Sequence, residues 1–210
     1  MKVQVASAAA VLLAGQALAA PAQLQARQGK TAAAIIAEIA PGSASCDGTP
    51  DCRTADQAAP FLIEAMAKYG LTSPGQIAGV LALSAFESVD FKFKHNVFPG
   101  RPGQGTSNMQ MFPFNILYAQ SISELAGQVS GVSADAPDAQ KNEILDLLAD
   151  DKYNFGSGAW FLTTQCGSDV VEGLKSGSDA SFAAYMACVG VGLDGDRQAY
   201  WTRAKQAFGI

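Results

Sequence analysis

The sequence predicts a mainly α fold, α+β only in that a small β or loop wing joins a helical domain with a buried central helix and lines its cleft. Three observations carry this. Apolar residues recur at helical spacing along most of the chain, and long period-two alternation is absent. A single stretch in the middle, Val89 to Phe112, is rich in Gly, Pro and Asn and breaks the helical pattern.

Residues 1–20 read as a secretory signal peptide. Lys2 supplies the positive start, an apolar run follows to Leu18, and Ala17-Leu18-Ala19 supplies the small-x-small cleavage pattern. The run is too short and wrongly flanked for a membrane span. Residues 21–29 read as a short pro-segment, with a second cut after Arg27, or as a flexible N-terminus. Residues 30–210 have the length of one ordinary domain, without repeats or charge blocks.

The helices follow in order. Thr31 to Ala40 is Ala/Ile-rich and stops at Pro41. Thr54 to Tyr69 carries Ala58, Leu62, Ala65, Met66 and Tyr69 on one face, with Gly70 as C-cap. Ser73 and Pro74 open the next helix as N-cap and first helical residue. That helix is apolar nearly all round, which marks it as central and buried. After the wing, helices are expected from Pro113 onward, over 137–149, 154–164, 179–189 and 194–208.

The formal charge is −5, and losing Lys2 with the signal makes the mature chain one unit more negative. An acidic secreted chain is a poor nucleic-acid binder, because that task needs a basic face. Cys46, Cys52, Cys166 and Cys188 are even in number, so two disulfides are expected in an oxidising compartment. Three pairings are open, and the local one, Cys46–Cys52 with Cys166–Cys188, is preferred. No Cys-x-x-Cys pair is present and the single histidine is far from any cysteine, so neither a metal nor another cofactor is expected.

The chemistry centres on Glu87, at the end of the apolar helix. Burial and the negative end of the helix dipole both favour its neutral form. A protonated carboxyl is what glycosidic cleavage requires, a logic for which a lysozyme is the standard worked case. The plain alternative is a polar helix end meeting solvent. Asp90 is a candidate base that activates water, or a loop cap bonded to nearby amides. His95 and Asn96 are placed on a cleft rim, or His95 is an ordinary surface residue. The loop from Pro99 to Thr106 lacks the Gly-Lys-Ser/Thr ending of a phosphate loop and reads as a tight wall, where Arg101 could meet an acidic group. Asn108 and Gln110 alternate with Met109 and Met111, so the amides are expected to face the cleft and the methionines the core. Among the aromatics, Tyr153 and Tyr185 are assigned to the cleft as stacking surfaces and the rest to the core.

Ala85-Phe86-Glu87-Ser88, together with Gly105 and Asn108-Met109-Gln110, resembles the lysozyme-like superfamily, in particular goose-type lysozymes and soluble lytic transglycosylases. The text NVFPGRPGQGTSNMQM and the closing segment Asp196 to Ala204 look like a fungal secreted branch of that superfamily. Val89 departs from the pattern, since many relatives carry Gly after the Glu-Ser pair. The resemblance implies a muramidase acting on peptidoglycan, with Glu87 as acid, Asp90 or a held water completing the reaction, and Asn108 and Gln110 on the floor of the sugar cleft. Ser88, His95, Asn96, Tyr153 and Tyr185 are the further candidates for sugar contact, and a secreted monomer is expected. Two alternatives accompany it: a chitinase or chitosanase on the same fold, and a non-catalytic glycan-binding or effector protein.

Overall fold

A computed structural model of the chain describes residues 29–46 and 48–210. The signal-peptide expectation over 1–20 and the cut after Arg27 lie outside the described residues. The mainly α class holds. The wing carries two isolated antiparallel bridges, His95 with Gly105 and Gly105 with Gln110.

Helix α1 (Ala32–Ile39) starts where Thr31 caps the amide of Ala34, and it buries Ile35, Ile36 and Ile39. Helices α2 (Ala55–Lys68) and α3 (Pro74–Glu87) each begin with a reciprocal capping box, Thr54 with Gln57 and Ser73 with Gln76. Every residue of α3 from Gly75 to Ala85 is buried, as its all-round apolarity predicts. Then come α4 (Phe112–Gln120), the single turn α5 (Ser123–Ala126), α6 (Asp138–Leu148) and the turn α7 (Asp151–Asn154). The chain ends with α8 (Ser157–Gln165), α9 (Ser168–Gly173), α10 (Asp179–Cys188) and α11 (Gly195–Phe208).

Helix α11 packs chiefly along α3 and next along α1. Gly75 lets α3 approach the 3-10 turn Leu174–Ser176, because a Cβ there would stand 2.0 Å from the Leu174 carbonyl oxygen. Trp201 of α11 is fully buried, stacked on Phe182 at 4.6 Å between centroids, and its indole N–H donates to Asp179. Two apolar clusters result. One gathers α1, α2, α3, α10 and α11, and the other gathers α4, α6 and the Trp160–Phe161 face of α8. Both disulfides take the local pairing: Cys46–Cys52 closes a short loop, and Cys166–Cys188 ties the end of α8 to the end of α10. No described helix is long and apolar enough to cross a membrane.

The wing is a chain of turns rather than a sheet. Thr106 and Met109 have φ of +64° and +43°, which no extended strand accommodates. Met109 donates its amide to Thr106, and Gly105 and Gln110 are bridged across that turn. The expected period-two alternation therefore fails here.

Candidate functional site

Glu87 is the last residue of α3, and the way the helix stops there explains its placement. The Val89 amide bonds back to Phe86 and the Asp90 amide to Ala85, which is the Schellman pattern. That pattern needs a left-handed residue just past the cap, ordinarily glycine. Val89 takes the position with φ +53°, and Asp90 and Phe91 continue it at +59° and +64°. Left-handed backbone costs a non-glycine residue roughly 1–2 kcal/mol, so this turn is held by its surroundings. Ser88, fully buried, donates its hydroxyl to the Ser84 carbonyl at 2.6 Å and accepts from the Phe91 amide at 2.9 Å. Asp90 accepts from the Gly42 amide and from the Tyr200 hydroxyl, both at 2.8 Å. Burial, and then Asp90 itself, pushes the Tyr200 phenol up to about 12, so it remains a donor.

Two expectations are corrected by this geometry. Ser88 is a backbone pin without access to a ligand. Asp90 is the loop cap, with both carboxylate oxygens engaged, because the Schellman turn rotates it towards the 3-10 turn Pro41–Ala44 and α11.

The Glu87 side chain, 23% exposed, opens into a cleft of about 300 Å³ at the seam between the two apolar clusters. Leu83, Phe114, Phe161, Val189 and Val191 are its apolar lining. Arg101, Gln104, Asn108 and Gln110 are its polar lining, and Met109 and Met111 line it too. The methionines thus face the cleft instead of the core, and Met111 is 42% exposed. The amides are fixed by one another. Gln110 donates to Asn115, Asn115 to the Gly103 carbonyl, and Gln104 to the Met109 carbonyl. Asn108, by contrast, is 7% exposed and its Oδ1 has no protein partner. A buried amide oxygen left bare costs about 1–3 kcal/mol, and this one is closed off from the cleft as well.

Arg197, on α11, was not singled out by sequence. Its guanidinium donates to Glu87 at 3.0 Å and to Asp194 at 2.5 Å, and it lies 4.3 Å from the centroid of the Phe86 ring. Burial pushes the Glu87 carboxyl above the usual carboxylate range, the Arg197 hydrogen bond and charge pull it part of the way back, and Asp194 adds a smaller upward push. The net direction is upward. Tyr185 lies nearby, fully buried, its hydroxyl unpartnered and raised first by burial and then by Glu87.

The remaining expected residues fall elsewhere. His95 and Asn96 line a second cavity of about 300 Å³ that shares Arg101 and Gln104 with the first. His95 is held there by Asp51 at 2.6 Å and Asp146 at 3.1 Å. Tyr153 is buried in the second apolar cluster and lines a small cavity with Tyr118. Tyr185 sits in the first cluster. Neither tyrosine offers a face to the Glu87 cleft, so both are corrected to core residues.

No family model matches the chain, and no solved structure does. A curated protein of Fusarium oxysporum (strain Fo5176), named a bifunctional dioxygenase (DOX)-epoxy alcohol synthase (EAS), is 50% identical over 157 residues. The match takes in 73% of this chain and 12% of that relative's length. It overturns the glycoside-hydrolase expectation and the lysozyme, muramidase and peptidoglycan assignments that came with it, along with the chitinase and glycan-binding alternatives. The relative is named for dioxygenase and epoxy alcohol synthase activities, not for glycosidic cleavage.

Dioxygen chemistry is ordinarily run by a metal or another redox group, and protein-held iron takes His, Cys thiolate or carboxylate ligands. The donor set of this chain does not fit such a centre. All four cysteines are in disulfides, and the single histidine has both ring nitrogens engaged by aspartates. Among the described residues no group of three His, Cys, Asp or Glu side chains is disposed to hold an ion.

Proposed function

We propose that this chain is an enzyme whose chemistry is proton transfer by Glu87 to an oxygen of a bound, amphipathic, oxygenated substrate. The observation that carries the reading is Glu87 itself, a mostly buried carboxyl with raised proton affinity opening into a cleft. The cleft is lined by apolar side chains and by amides, which suits a molecule with a hydrocarbon body and neutral oxygens. The relative's name supplies the class: an epoxy alcohol carries a strained ring oxygen and a hydroxyl. Protonated Glu87 donates to the ring oxygen as a ring C–O bond breaks. A cleft water forms the new C–O bond and returns its proton to Glu87. The sum is addition of one water, with no oxidant consumed. This unit would therefore work beside oxidative steps and not perform them.

The Glu-Ser helix end and the Asn-Met-Gln turn against it support the lysozyme-like superfamily as the architecture, without its substrate. The two disulfides support secretion.

The test is hydration of a long-chain aliphatic epoxy alcohol to the triol in ¹⁸O-water, followed by mass spectrometry. Wild type should incorporate one label per turnover, and Glu87→Gln should lose at least about a hundredfold in rate, the usual worth of a positioned acid. No turnover by wild type, or equal turnover by Glu87→Gln, refutes the reading.

A further inference from the structure

We propose that Arg197 is the positioning residue of this site, holding the Glu87 carboxyl in the cleft and setting the pH range over which it carries its proton. The inference rests on Glu87 being the proton-transferring group. Arg197 and Glu87 are 110 positions apart in sequence, and they meet only because α11 lies along α3.

Three contacts aim the guanidinium. Asp194, the N-cap of α11, accepts the Arg197 amide at 2.8 Å with one oxygen and its side chain with the other. Phe86, the residue before Glu87, presents its ring face to the same planar group. The third contact is Glu87. An arginine clamped at the backbone, at one side of its fork and across its face has little freedom left, so its Nη2 donor fixes where the carboxyl points, while its Nε–H is buried without a partner. Its side chain is 15% exposed, so solvent screens the pair only partly.

The charged and titratable groups facing Glu87 come from three directions: Arg197 and Asp194 from α11, Tyr185 from α10, and Arg101 from the wing. Only Arg197 bonds to it. Removing that cation leaves burial and Asp194 unopposed, and both act to keep the proton on.

The test reads the Glu87 carboxyl directly, by ¹³C NMR titration of the full chain, with the signal assigned from Glu87→Gln. Arg197→Met keeps an apolar stem against Phe86 and removes the charge. Its Glu87 midpoint should rise by about one pH unit or more, which is tenfold tighter proton binding. Arg197→Lys keeps a charge without the planar fork and should rise by less. A purely structural Arg197 would change melting temperature but not the midpoint. An unmoved midpoint in folded Arg197→Met, or in Arg197→Lys should the first variant not fold, overturns the proposal. The titration needs no substrate, so it stands or falls separately from the epoxy alcohol assay.

Discussion

Gly105→Ala tests whether the wing is held as tightly as its turns imply. Gly105 is the residue shared by both bridges of the wing, between Gln104 and Asn108, which line the cleft. A Cβ built there would stand 2.3 Å from the Lys94 carbonyl oxygen and 2.7 Å from Leu145 Cδ1. The leucine could rotate, but the carbonyl could not retreat alone, since it accepts the Thr106 amide at 2.7 Å. Relief costs that hydrogen bond, about 1 kcal/mol, plus overpacking of about 1–3 kcal/mol. A loss of about 2–4 kcal/mol lowers the melting temperature of a domain this size by roughly 5–15 °C. Gly127→Ala is the control. Gly127 has φ −67° and open space where a Cβ would sit, so alanine should stabilise by about 0.4–1 kcal/mol. Calorimetry on both variants decides the matter. A Gly105→Ala protein melting within 2 °C of wild type, on the order of 1 kcal/mol or less, would refute the close approach.

Other outcomes follow from the same geometry. Removing the Cys166–Cys188 pair, 22 residues apart, should cost more than removing Cys46–Cys52, 6 apart. Loop-closure entropy puts the two at about 3.4 and 2.4 kcal/mol, and denaturant midpoints of the double-alanine variants check the order. Lys94 is 5% exposed and donates to Asp151 and to the Ala149 carbonyl, so Lys94→Met should destabilise by about 3 kcal/mol at neutral pH. Asp151 is pushed up by burial, but Lys94 and Arg53 pull it below the ordinary aspartate value. Its contribution is thus present above about pH 4 and lost as pH falls further, and Lys94→Met should flatten that acid limb in urea melts taken from pH 5 to 2. An acid limb as steep as wild type's would show that Lys94 is not the cause.

The helices were legible because their signals are local. Ser73, Pro74 and Gln76 name a helix start within four residues, and the all-round apolarity of α3 names its burial. Glu87 was legible for the same reason, being the first polar residue after that run. Its surroundings were not. Arg197 reaches Glu87 only through the crossing of α11 on α3, which no spacing encodes. The aromatics misled because burial and cleft exposure share one helical period. Tyr153 and Tyr185 have the placement either role would need, and packing against Tyr118 and Phe182 decided for the core. In the wing, alternation of Asn108 to Met111 imitated a strand. Positive φ at Thr106 and Met109 turned the methionines outward instead.

Asp90 joins these threads. A second carboxyl three residues from the first invites a two-carboxylate mechanism, and the distance along the chain permits it. The three left-handed residues decide otherwise. They turn the chain away from the cleft at once, so that Asp90 reaches Gly42 on one side and Tyr200 on the other. A Cβ on Gly42 would lie 2.6 Å from Asp90 Oδ2, so that approach requires glycine. The strain of the turn is thereby held by the 3-10 turn Pro41–Ala44 and the last helix together, while Tyr200 and Arg197 stand three apart on one face of α11. One helix thus fixes both the turn that ends α3 and the carboxyl that ends it. Glu87 is the one carboxyl in the cleft lining, and in the proposed reaction the base half falls to it once its proton has left.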